Sequence, residues 1–181
     1  MEAITSLREG AAAGSLHVGD RVVYPHHGVA IIEAVQRRQL FGETREYFIM
    51  HVDHGDLTLL VPVEQAEDVG LRLVIDRDEV ADVLLVLGRK AVHVPTSWAR
   101  RFKNHMDMLK SGDIYELAHV VRNLSVRHAE KRLSAAETSM LANARRMLGS
   151  ELAFALAVTE ENAHGRIDEA LALSPSDAAA R

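Results

Sequence analysis

The spacing of hydrophobic positions changes part-way along the chain. From Val18 to Val74 they fall in short β-branched runs: Val22-Val23 ahead of Tyr24 and Pro25, then Val29 to Val35, Tyr47 to Val52 and Leu57 to Val61. Runs of this length and make-up predict strands. The breaks at His27-Gly28, Phe41-Gly42-Glu43 and His54-Gly55-Asp56 place glycine where a short connection needs positive φ. Several short strands joined so tightly predict a small antiparallel barrel or rolled sheet, because a flat sheet of this size leaves its edges open.

After Asp76 the period becomes helical. Val80, Val83, Leu84 and Leu87 share one face, and Gly88 reads as the stop. Trp98, Phe102, Met106 and Leu109 then recur at helical steps and end at Ser111-Gly112, while Ile114, Leu117, Ala118, Val121 and Leu124 form the clearest amphipathic stripe. Ser134 followed by Glu137 is a capping box, and the helix it starts carries Met140, Leu141, Ala144 and Leu148 and is expected to run on through Gly149 toward Val158. A last short helix is predicted near Ile167 to Leu173. The pattern therefore predicts an α+β chain in four parts: a disordered extension over 1–14, a β domain over 15–75, an all-α domain over 76–173 and a disordered tail over 174–181.

Composition narrows the functional classes. Apolar residues make up 48% and charged residues 26%, the balance of a soluble globular protein, and no run approaches the roughly 20 apolar residues of a membrane span. No secretory leader is legible in the first residues, and the absence of cysteine excludes disulfides, thiolate metal sites and a cysteine nucleophile, so a cytoplasmic protein is expected. The net charge is −5, yet Arg89 to Arg132 holds ten Lys and Arg against four acids, a local +6 that leaves −11 for the rest. Such asymmetry points to an anionic partner for the middle of the chain; a solvated helical surface is the other reading.

The stretch Val18-Gly19-Asp20-Arg21-Val22-Val23-Tyr24-Pro25-His26-His27-Gly28-Val29-Ala30 resembles the opening signature of the CarD family of bacterial transcription regulators. Gly55-Asp56-Leu57-Thr58, Val61-Pro62-Val63 and Val69-Gly70-Leu71-Arg72 continue the resemblance. In the helical half it extends through Pro95-Thr96-Ser97-Trp98-Ala99-Arg100-Arg101-Phe102-Lys103, Ser111-Gly112-Asp113 and Val120-Val121-Arg122-Asn123-Leu124. It spans about Leu16 to Val158. The first domain of that family is also similar to the polymerase-binding module of transcription-repair coupling factors. The resemblance implies a Tudor-like barrel that binds the RNA polymerase β subunit, and a helical domain that stabilises the open promoter complex at the upstream edge of the bubble, through the minor groove. The polymerase contact falls on Arg38 with Arg37 beside it, and Leu60 stands where some relatives carry a second basic contact. The tryptophan wedge falls on Trp98, and the DNA-facing cations on Arg100 and Lys103 with Arg101 between them. The resemblance leaves contacts with sigma factor open; a monomer associated with the nucleoid through polymerase is expected.

The same residues have a physical reading of their own. Thr96 or Ser97 can cap a helix that places Trp98 in its first turn, and Arg100, Arg101 and Lys103 then crowd the positive end of the helix dipole. Cations are unfavourable there unless an anion docks, and a phosphate is the natural candidate. An apolar wedge between phosphate clamps is how proteins insert between base steps. Alternatively Trp98 is core, packed with Phe102 and Met106, and Arg37 and Arg38 are edge charges that block strand pairing. An exposed sheet edge also offers a polymerase contact by strand addition.

Enzymatic readings are weaker. His51, Asp53, His54 and Asp56 could form a metal site only if a strand end and a glycine turn brought them together, and His26-His27 reads as a turn. There is no phosphate-binding loop, dinucleotide fingerprint, serine elbow or helicase motif. Neither an enzyme nor a cofactor is expected. The competing class is a polymerase-bound adaptor whose helical half recruits another protein instead of DNA.

Overall fold

In the computed structural model, which describes residues 16–25, 27–40, 42–52, 57–89 and 97–173, β1 (Arg21–Tyr24), β2 (Gly28–Leu40), β3 (Glu43–Val52), β4 (Leu57–Pro62) and β5 (Arg72–Leu73) form one antiparallel sheet in the order β4-β3-β2-β1-β5. The glycines at two predicted turns, Gly28 and Gly42, have φ of 91° and 86°; Gly55, His26 and Phe41 lie outside the described residues. Alternate residues of four strands, Val22, Ala30, Ile32, Phe48, Met50, Val52 and Val61, meet Leu16 and, from the β4–β5 connection, Ala66 and Leu71 in one core. Burying a Val, Ile or Phe side chain contributes about 1.5–3 kcal/mol, so this cluster is what holds so small a domain together. It is the Tudor-like β domain expected from the sequence.

Five helices follow: α1 (Glu79–Gly88), α2 (Trp98–Lys110), α3 (Ile114–Glu130), α4 (Ala135–Leu156) and α5 (Glu160–Ala172). The chain leaves the sheet at Leu73 and enters α1 at Glu79, across the segment where the sequence period changes. Leu87, Val121, Leu124, Leu148, Leu152 and Ile167 are fully enclosed at the centre of the helical core. Asp113 caps α3, its carboxylate accepting from the backbone N–H groups of Tyr115 and Glu116 at 2.7 and 3.1 Å. The Ser134/Glu137 capping box starts α4 as read from the sequence. One helix departs from expectation. α5 begins well before Ile167, because Thr159 caps it by accepting from Asn162 N–H at 3.3 Å. α4 passes unbroken through Gly149, as expected, and ends at Leu156, with Ala157 at its C-cap, a left-handed residue at φ 55° that is not glycine.

Buried polar contacts join the two halves. Arg72 of β5 grips the Glu151 carboxylate of α4 with two parallel bonds, at 2.5 and 3.0 Å, and its Nε–H donates to the Gly112 carbonyl at 2.7 Å. Arg21 of β1 lies over the Phe154 ring, 5.3 Å from its centroid. Gly70 and Gly112, both at positive φ, pack against Pro25, and a Cβ on either would come within 3.0–3.1 Å of its ring. The segments 1–14 and 174–181, expected as an extension and a tail, lie outside the described residues. Among the described residues no helix is long and apolar enough to cross a membrane.

Candidate functional site

Trp98 is the first residue of α2, with Ser97 extended at the N-cap position but making no side-chain capping bond; Pro95 and Thr96 lie outside the described residues. The indole is 47% exposed, unusual for the only tryptophan of a chain this size. One face stacks on Phe102 at 5.3 Å between centroids, and Phe102 in turn packs on the helical core. The indole N–H donates to Ser134 Oγ at 3.2 Å. Trp98 thus shares a face with Phe102, as expected, yet leaves about half of its surface to solvent instead of joining the core.

Arg100 and Lys103 are exposed on the same helix, whose first turn has no acid. Arg101 departs from the expectation that grouped it with them as a DNA-facing cation. It is only 2% exposed and turned inward, where its guanidinium meets Glu137 Oε1 at 2.7–2.8 Å. The reason is helical geometry: Arg101, His105 and Leu109 recur every four residues and form the inner face of α2. Arg122, counted above in the basic segment, is likewise interior, donating to Asn123 Oδ1 and the Val86 carbonyl. The positive surface of the middle segment is therefore smaller than its formal charge.

Burial alone would push the Glu137 carboxyl up most strongly. The Ser134 backbone N–H, the Arg101 guanidinium and the Ser134 hydroxyl together outweigh burial and hold it below the usual carboxylate range. Glu137 is ionised, and Arg127 adds a second cation at 3.7 Å. Below Arg101, burial and the Arg101 charge push His105 under the ordinary imidazole value, although Glu137 pulls the other way. His105 is neutral at pH 7.

The second set of residues lies on the sheet. β1 pairs with β2 only from Gly28 to Ile31, whereas β2 and β3 stay paired out to Leu40 and Glu43. A two-stranded arm therefore extends beyond the sheet, and on the side away from β3 no strand among the described residues pairs with Ala34–Leu40. A register shift between Ile32 and Ala34 re-aims the side chains of this arm. Arg38 then falls on the face that carries Ala34, Ile49 and Leu60, which lie in a row across three strands. Arg37 falls on the opposite face, opposite Glu46. Arg38 and Arg37 are both exposed, and the Arg38 guanidinium donates to Gln36 Oε1 at 2.8 and 3.1 Å. Leu60 is 38% exposed. The arm thus brings Arg38 and Leu60 to one face and separates Arg37 from them.

No group of three or more metal-ligating side chains occurs among the described residues. Asp53, His54 and Asp56 of the suggested cluster lie outside them, and His51 sits in β3 opposite Ile31 and Thr58. Sequence reading identified the Ser134/Glu137 pair as a helix start but missed that it also holds Trp98, a contact across 36 positions with no local signature.

Comparison with known proteins follows the same division. Residues 16–75 match the family described as CarD-like/TRCF RID domain, and residues 82–168 match the CarD C-terminal domain. The chain is also 32% identical over 144 residues to a Bacillus subtilis (strain 168) protein named "Putative transcription factor YdeB", covering 80% of this chain and 94% of that one.

Proposed function

As this chain belongs to the CarD family, and with it to the transcription regulators that interact with RNA polymerase, we propose that its β domain binds the polymerase β subunit while its helical domain wedges promoter DNA at the upstream edge of the bubble. The observation that carries this reading is Trp98: an indole 47% exposed at a helix N-terminus, with exposed Arg100 and Lys103 on the same helix. Arg100 and Lys103 are suited to phosphates, and the indole to the gap between base steps. Unstacking a step costs roughly a few kcal/mol, least where the strands already part, which favours a bubble edge over intact duplex. The contacts are with shape and phosphate rather than with base edges, so no sequence motif is expected.

On the sheet, the free edge of β2 from Ala34 to Leu40 can accept an extended strand of the partner, and the face bearing Arg38 and Leu60 then supplies specificity. Leu60 makes an apolar contribution where a cation would have added charge. Arg37, on the other face, contributes through charge at the arm as a whole. The protein acts in the cytoplasm, with the nucleoid, as a monomer bound to polymerase.

Replacing Arg38 by Glu tests the polymerase contact. Co-purification with the β subunit is expected to be lost while the circular dichroism spectrum and melting temperature stay at wild type, since Arg38 is exposed. Retention of the complex would move the contact elsewhere. The adaptor alternative has one observation in its favour, an apolar groove of about 920 Å³ between α1 and α5 lined by Leu84, Leu85, Ala170 and Leu173. It predicts that substitutions at Trp98 leave open complexes untouched.

A further inference from the structure

Resting on the reading of Trp98 as the DNA wedge, we propose that Ser134, Glu137 and Arg101 are positioning residues that hold the indole in its inserting orientation. The Ser134 hydroxyl has one hydrogen to give and two lone pairs to receive with. All three are used: it donates to Glu137 Oε2 at 2.9 Å, accepts from the Glu137 backbone N–H at 3.2 Å and accepts from Trp98 Nε1–H at 3.2 Å. The indole N–H can only donate, so it is held only if the hydroxyl hydrogen points elsewhere. An ionised Glu137 fixes that direction, and Arg101, packed on the other carboxylate oxygen at 2.7–2.8 Å, keeps Glu137 ionised.

The relay therefore runs from a buried ion pair to an exposed ring: Arg101 to Glu137, Glu137 to Ser134, Ser134 to Trp98. The indole has two side-chain torsions, and two contacts constrain them, the stack on Phe102 at its face and the Ser134 bond at its edge. A ring already held in place loses less freedom on entering DNA than one that rotates, and binding gains accordingly. The inward turn of Arg101 thus becomes part of the wedge's action, exerted through two intervening side chains and without touching DNA.

A serine that merely caps α4 and a serine that anchors Trp98 are separable. Glycine serves almost as well as serine at an N-cap but has no hydroxyl. Trp98 is the sole tryptophan, so its fluorescence reports this one ring in the intact protein. Ser134→Gly is expected to keep the circular dichroism spectrum, increase acrylamide quenching and lower steady-state anisotropy of Trp98, and shorten open-complex lifetime toward that of Trp98→Ala. Ser134→Thr, which restores a hydroxyl, is expected to return all three to wild type. Wild-type quenching in Ser134→Gly, or a freed indole with a wild-type lifetime while Trp98→Ala is short-lived, overturns the positioning role alone. A wild-type lifetime in Trp98→Ala itself overturns the wedge reading and this inference with it.

Discussion

Glu137 carries three roles at once: it completes the capping box of α4, neutralises buried Arg101 and orients the hydroxyl beneath Trp98. Its folded-state pKa is lowered from the ordinary value of 4.5. A carboxyl depressed by folding adds stability that is fully present above its unfolded pKa and is lost as pH falls through the folded one. Acidification below about pH 4.5 should therefore unfold the wild type more steeply than Glu137→Gln. The variant starts lower at pH 7, since breaking a buried pair costs about 3–5 kcal/mol, and the two curves converge in acid. Urea unfolding at a series of pH values measures both limbs; parallel curves would mean that Glu137 is not the titrating group. From sequence, Arg101 looked like Arg100 and Lys103, three cations in one turn. Only the packing of α2 distinguishes them, because the partner that takes Arg101 inward lies 36 residues away.

At the scale of elements, what the sequence made legible follows burial. Strands with one wet and one dry face, and helices with an apolar stripe, announce their period, and β1, β4, α1, α2 and α3 lie where the pattern put them. The outer part of β2, Gln36 to Gln39, is exposed throughout, so no alternation marks it: the β-branched run stops at Val35, and only the family resemblance and the edge-charge reading placed Arg37 and Arg38 at the end of a strand. α5 likewise begins in the polar run Glu160-Glu161-Asn162, where only the Thr159 cap signals a start. Gly149, a poor helix former inside α4, answers to packing: a Cβ there would lie 2.5 Å from Cε1 of His164 on α5. Ala in place of Gly inside a helix normally gains about 1 kcal/mol. Gly149→Ala should fail to gain it in the wild type and gain it in a His164→Ala background. A double-mutant cycle by thermal unfolding reads the difference; simple additivity would show that the ring yields without cost.

For the molecule as a whole, the proposed function has the sheet arm and Trp98 reach polymerase and DNA together, and the join between the halves holds their relative placement. Arg72 and Glu151, Arg21 and Phe154, and the close approach of Pro25 to Gly70 and Gly112 fix one half against the other. Glu151 is only 1% exposed, so Arg72→Ala strands a buried carboxylate and should cost about 3–5 kcal/mol. It should also split chemical unfolding into two steps as the halves lose their coupling. A single transition at the wild-type midpoint would show that the join contributes little. The family resemblance made both halves and the Trp98 position legible; the join itself was not, because each of its contacts links residues far apart in the chain.

The claim on which the rest depends is that one exposed ring acts on DNA while a separate surface holds polymerase. The most direct measurement is the lifetime of promoter open complexes under competitor challenge, with polymerase and the Trp98→Ala protein at concentrations that saturate the wild type. With Trp98 as the wedge, the lifetime shortens while binding to the β subunit is unchanged; a lifetime equal to that of the wild type would overturn the wedge.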